Sequence, residues 1–211
     1  MQRQRNPVLR TLRATYQLTG KEAFTALGVD PGFANLGLAV VMRPKPEAPL
    51  RLVTLEVVET SKAPKKAMRD LRVAADDQRR LRHFWNRLEL VIAAYLPQAI
   101  GVESYAPWPG QMGGNAWKVA LAYQLSVCAG WAHGILPMVF RPDDLKRRLL
   151  GKNAGTKVAV EDVLRTLVMG FGEALDKLPK TKREHAADAV GHALLAIEEA
   201  ARMRAMFGGT F

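Results

Sequence analysis

Cysteine is nearly absent from this chain, with Cys128 standing alone in 211 residues. One thiol excludes an intrachain disulfide and any cysteine-built zinc cage within the chain, and it suits a reducing cytosol. No run of about 18 apolar residues offers a membrane span, and the N-terminus lacks the apolar core of a secretory signal. These absences predict a soluble, cytoplasmic protein. Acidic residues are missing from Met1 to Lys21, where Arg3, Arg5, Arg10, Arg13 and Lys21 make a basic N-terminal arm over residues 1–23. The arm either contacts phosphates or is disordered. Internal repeats and low-complexity tracts are also lacking, so residues 24–211 read as one domain.

What is abundant is positive charge. Lys and Arg number 31 against 20 Asp and Glu, a net charge of +11. This balance favours a polyanionic partner, nucleic acid first, although a solubilising surface would have the same composition.

The stretch Phe24–Val29 is uncharged and predicts a buried strand, ended by Asp30 and the turn residues Pro31 and Gly32. Further strands are expected over Gly37–Met42 and Leu50–Thr60, making a three-strand meander. Leu71, Ala74, Leu81, Phe84, Leu88 and Ile92 predict a helix from Ala67 to Leu96, closed by Pro97, with Arg79, Arg80 and Arg82 on a solvated face. Ala99–Glu103 repeats the construction of the first strand, an apolar run ending in a carboxylate. A loop follows, then a largely apolar helix from Asn115 to Gly134, a short strand over Pro137–Phe140, and a helix opened by Pro142. A further helix is expected from Thr156 to about Gly170, and a last one from Glu184 to about Met206 after a polar linker over Asp176–Arg183. The order β-β-β-α-β-α-β-α predicts an α/β fold, a mixed five-stranded sheet with helices on both faces.

Asp30 alone is as good a turn initiator as a metal ligand. Its company changes that reading. Glu103 ends a second strand, and His185 and Asp188 stand three apart on the last helix. Bringing three carboxylates within about 4 to 5 Å costs on the order of one to several kcal/mol per pair unless cations sit among them. Oxygen ligands with one imidazole suit Mg²⁺, or Mn²⁺ in its place, better than zinc. Two such ions would serve phosphodiester hydrolysis, with Asp30 bridging them, Glu103 and Asp188 each completing one shell, and His185 ligating or relaying a proton. His192, one turn on, reads as a packed or supporting residue more readily than as a ligand; His83 and His133 join no constellation. Trp117 and Trp131 are expected in the core or a subunit interface.

Gly28-Val-Asp30-Pro-Gly32 followed by Gly37, Val102-Glu103-Ser104, and His185-Ala-Ala-Asp188-Ala resemble the RuvC family of Holliday junction resolvases, over residues 24 to about 200. The resemblance implies an RNase H-like fold, a homodimer, and symmetric metal-dependent nicking of four-way DNA junctions in recombination and repair. It implies catalytic and metal-binding roles for Asp30, Glu103, His185 and Asp188; some members carry aspartate where this chain has His185. It also implies phosphate contacts by Lys146 and Lys157 around Gly151, with Lys152 between them, against the plainer reading of solvated lysines near a turn. The family's junction-opening aromatic would fall at Ala106, and here Tyr105 and Trp108 flank that position. Rival readings are a less selective branched-DNA or RNA-processing nuclease of the same fold, and an actin-like or sugar-kinase-type ATP-binding protein. The latter would use Asp-Pro-Gly as a phosphate hairpin but leave Glu103 and Asp188 without a duty.

Overall fold

The structure is a computed structural model, described for residues 23–45, 48–64, 73–105, 116–151 and 156–207. The N-terminal arm up to residue 22, Lys152 and Trp108 lie outside these residues. Strands β1 (Phe24–Pro31), β2 (Asn35–Arg43) and β3 (Leu50–Glu59) form the expected antiparallel meander. After helix α1 (Val73–Tyr95), β4 (Ala99–Glu103) pairs parallel with β1; after α2 (Ala116–Ala132), β5 (Pro137–Phe140) pairs parallel with β4. Helices α3 (Pro142–Leu150), α4 (Lys157–Leu167), α5 (Phe171–Asp176) and α6 (Lys180–Phe207) complete the chain.

The sheet has six strands rather than five, in the order β5-β4-β1-β2-β3-β6. The sixth, β6 (Val168–Met169), interrupts what reads in sequence as one helix up to Gly170, and pairs parallel with Leu50 and Arg51. Two residues are too few to show a period of two, so the pattern of α4 runs through them. Gly170 then adopts a left-handed conformation (φ 82°) and starts α5. The last helix starts at Lys180, four residues earlier than its sequence pattern suggests, and takes in part of the polar linker.

The two faces of the sheet differ in side-chain size, and this difference positions the site. Along β1, alternation sends Leu27 and Val29 to one face, where with Leu36, Leu38, Val40, Ile100 and Val102 they pack on Phe84, Leu88 and Ile92 of α1 and Ala129 of α2. The opposite face is small. Ala26, Ala39 and Ala99 lie there against Ala186, Ala189, Ala193 and Ala196 of α6. Gly28, Gly37 and Gly101 share that face, and a Cβ on any of them would run into α6 backbone at Ala189, His185 and His192 respectively. The sheet thus lets the backbone of α6 press directly onto it.

Arg80 is not on a solvated face. It is 5% exposed, with its guanidinium 4.1 Å from the centre of the Phe33 ring. It donates to Phe33 O (3.0 Å) and Thr60 Oγ1 (2.9 Å), pinning the β1–β2 turn to the end of β3. Lys118, also buried, pairs with Asp77 at 2.8 Å and faces the same ring at 5.4 Å. Trp117 and Trp131 are half-exposed, which removes them from the core.

Candidate active site

Asp30 follows Gly28 by two residues and Glu103 follows Gly101 by two, so both acids share the face of the sheet that carries α6. Gly28 pairs with Gly101 and Val29 with Val102 in parallel register, so both carboxylates emerge side by side where β1 and β4 end. Helix α6 lies above them. His185, Asp188 and His192, at spacings of three and four, form one stripe on its lower side. Carboxylate oxygens of Asp30, Glu103 and Asp188 all lie within 4.8 Å of one another.

These acids repel one another and are short of water. Burial, followed by the charges of Asp30 and Glu103, pushes Asp188 up to about 6. Burial also raises Asp30, against the His185 hydrogen bond that favours its ionised form. Burial acts upward on Glu103 too, but the His192 ring, a hydrogen bond with Asp30 and then the Lys157 charge outweigh it and leave Glu103 below its ordinary value. His185 Nδ1 lies 2.6 Å from Asp30 Oδ2, and that bond raises the imidazole pKa despite partial burial. Asn35 Nδ2 is 3.5 Å from His185 Nε2, so both ends of the β1–β2 turn meet the histidine. An all-oxygen cluster whose members resist ionising together fits a hard divalent cation, and among the described residues no cysteine belongs to the trio to favour zinc.

A cavity of about 550 Å³ opens over the acids. Lys146 and Lys157, expected from sequence, line it together with Lys180 and Arg183, which were not. The latter two sit at the start of α6, inside the segment that reads as a linker; its basic composition was the only signal. Lys157 pairs with Glu184 in this structure. Thr156 caps α4 through a bond to Ala159 N, which sets Lys157 at the head of that helix. Tyr105 is half-buried, two residues past Glu103, and does not line the cavity. His192 is buried against Glu103, and Asn35 is a contact that no spacing rule would have found.

An acidic centre at the carboxyl ends of adjacent strands of this sheet places the molecule among the metal-dependent nucleases of RNase H-like fold. Its family is narrower. The pattern described as crossover junction endodeoxyribonuclease RuvC matches residues 26–196, and the chain belongs to that family. A RuvC of Bacteroides fragilis is 25% identical over 144 residues, 67% of this chain and 68% of the relative. The RuvC structure from Thermus thermophilus is 28% identical, with a TM-score of 0.65 over 85% of this chain and 96% of that one. The same protein solved in complex with a Holliday junction substrate gives 26% identity and a TM-score of 0.64 over the same shares. The protein is thereby an endonuclease of the crossover-junction class. Glu103 and Asp188 have a place in this site, which the ATP-binding alternative does not give them. Among the described residues, no helix is long and apolar enough to cross a membrane.

Proposed function

We propose that the protein resolves four-way DNA junctions by Mg²⁺-dependent nicking of two opposed strands, acting as a homodimer in the cytoplasm. The observation that carries this reading is the convergence of Asp30, Glu103 and Asp188 beneath a basic rim. Those three carboxylates, of which Asp30 is the most buried, would hold two divalent ions, Mg²⁺ or Mn²⁺. When bound, such ions neutralise phosphate charge and lower the pKa of water toward neutrality.

The chain's own groups do the rest. Lys146 and Lys157 bind phosphates flanking the scissile bond, and Lys180 and Arg183 extend the same rim. Asp30 holds His185 through Nδ1, and Nε2, which Asn35 Nδ2 meets only at 3.5 Å, is the nitrogen that takes a proton from the attacking water or ligates a cation. The basic arm over residues 1–23 adds sequence-independent phosphate contacts, and Tyr105, Trp108 and Lys152 lie on the segments that meet the junction.

Twofold assembly supplies the paired incision. On α2, Trp117, Leu121 and Trp131 are exposed and fall within an arc of about 80° at 100° per residue. An unpartnered apolar face of this kind fits a second copy of the same surface about a twofold axis.

The test is cleavage of labelled four-way, Y-shaped and linear duplexes side by side, with Mg²⁺ and with chelator. Four-way junctions are cut in symmetric pairs with Mg²⁺ only, and Asp30→Asn abolishes the reaction while leaving junction binding in place. Equal cutting of linear duplex would leave a nuclease but refute the resolvase, and preference for Y-shaped DNA would favour the less selective branched-DNA enzyme.

A further inference from the structure

His192 is the one imidazole of the cavity lining to which the mechanism above gives no task. Its side chain is 2% exposed, on the same stripe of α6 as His185 and Asp188. Its carbonyl sits where a side chain on Gly101 would be, so the base of the residue is fixed over β4, two residues before Glu103. The ring stacks on Phe140 of β5, with centroids 6.3 Å apart and planes 10° from parallel. Phe140 is the register partner of Glu103. Backbone and ring are thus both held by the strands that carry the acid.

The two ring nitrogens differ in what they meet. Nε2 lies 3.6 Å from Glu103 Oε2, longer than a direct hydrogen bond but inside ion-pair range. Nδ1 is buried and has no hydrogen-bond partner. A buried N–H without an acceptor costs more than one aimed at a carboxylate, so the proton belongs on Nε2. An ordinary packed histidine would have its polar edge satisfied by backbone. Here the polar neighbour is a carboxylate of the acidic trio.

We infer that His192 is a positioning residue: its Nε2–H holds the Glu103 carboxylate toward Asp30 and Asp188, and so sets the affinity of the site for a divalent cation. A carboxylate ligand is itself oriented by a donor behind it, and loss of such a donor typically weakens metal binding about 10- to 100-fold. The inference rests on the metal-nuclease reading of the trio and goes beyond it by assigning a task to a residue outside the trio.

The experiment compares wild type, His192→Leu and His192→Gln. Leucine keeps an apolar body against Phe140, while glutamine keeps an N–H donor on a shorter ring-free side chain. Mn²⁺ binding is titrated calorimetrically without DNA, junction affinity is measured in chelator, and cleavage is followed against Mg²⁺ concentration. His192→Leu weakens Mn²⁺ binding by roughly tenfold or more and raises the Mg²⁺ requirement in parallel. Junction affinity and melting temperature stay at wild-type values, and His192→Gln recovers most of the loss. Mn²⁺ binding by His192→Leu as tight as wild type overturns the inference. Nitrogen-15 spectra of the wild-type ring decide independently of how the variants fold: an Nε2-protonated tautomer that responds to Mg²⁺ supports the role, and an Nδ1-protonated or unresponsive ring refutes it. A wild type that binds Mn²⁺ yet cuts no junction overturns the resolvase reading instead, and the Mn²⁺ titrations still decide the role of His192.

Discussion

Gly28→Ala tests whether the site depends on how closely α6 approaches the sheet. A Cβ at residue 28 would stand 2.5 Å from Ala193 N and nearer still to Ala189 O, both helix backbone. Ordinary contact begins near 3.4 Å, so the helix must retreat by about 1 Å to clear Ala193 N and further to clear Ala189 O, or β1 must sink into the opposite layer. Neither partner can rotate away as a side chain would. Overpacking of this kind costs about 1 to 3 kcal/mol, and the gain from removing a glycine from a strand returns only about 0.5 to 1 kcal/mol. At this chain length the net loss, between about 0 and 2.5 kcal/mol, corresponds to a fall of up to roughly 10 °C in Tm. Activity falls much further, because a displacement of about 1 Å in a catalytic constellation costs on the order of 100-fold. Single-turnover cleavage of a labelled four-way junction, with junction affinity measured in chelator, separates that loss from binding. Gly191→Ala is the matched control on the same helix: its new methyl comes nearest to the end of the Leu145 side chain, at Cδ2 and then at Cδ1 2.6 Å away, and that end can turn aside. The helix gains about 1 kcal/mol from losing a glycine, so that variant stays near wild type. Wild-type cleavage by Gly28→Ala, or equal damage from both variants, would refute the reasoning.

The metal-free protein becomes less stable as pH rises through about 6. Asp188, pushed up to about 6 by burial and by Asp30 and Glu103, binds more protons folded than unfolded between 3.8 and that value, and the raised His185 acts in the same direction. Stability from Asp188 is full below about 3.8 and gone above about 6, and that from His185 is lost above its ordinary value of 6.5; urea midpoints in chelator should therefore fall from about pH 4 to about pH 6 and again above 6.5, and Mg²⁺ should flatten the slope. A midpoint that climbs with pH over that range contradicts the placement of the acids. Arg80→Ala removes the buried guanidinium from Phe33 O, Thr60 Oγ1 and the Phe33 ring, and should cost about 1.5 to 3 kcal/mol in urea denaturation. A loss below about 1 kcal/mol would mean that the turn does not depend on it. Trp131→Glu on the exposed face of α2 should yield monomers in sedimentation and convert paired incisions into single nicks; a variant that stays dimeric places the interface elsewhere.

Asp30 and Glu103 were legible because each ends an apolar run, and the same glycine-valine-acid order precedes both. His185 and Asp188 were legible by helical spacing, and Lys146 and Lys157 through the family resemblance, whose basic positions they match around Gly151. Contacts made across the fold were not. Arg80 reads as one more charge on a helix because Phe33 and Thr60, its partners, are 47 and 20 residues away. Asn35 and His185 are 150 residues apart. Lys180 and Arg183 looked like linker charges because the helix that aims them begins before its apolar period does. Strand β6 failed for a different reason: two residues take their geometry from Leu50 and Arg51, not from any preference of their own.

One structural choice explains both the site and its electrostatic cost. Alternation along β1 and β4 puts glycine two residues before each acid, on the same face, so the position that admits the helix and the position that carries the ligand share one two-residue step. Larger residues at 28, 37 or 101 would lift α6 and hold Asp188 away from Asp30 and Glu103. The contact that brings the acids within reach of a shared cation also strips them of water, which is why Asp30 and Asp188 shift upward together. Histidine at residue 185 eases this strain, since it meets Asp30 with an N–H where a fourth carboxylate would add charge. His185→Asp should therefore make the fold depend more strongly on a bound divalent cation. Thermal melts against Mn²⁺ would show this as a lower Tm without metal and a larger rise with it; an unchanged metal-free Tm would mean that repulsion among the acids is relieved by some other group.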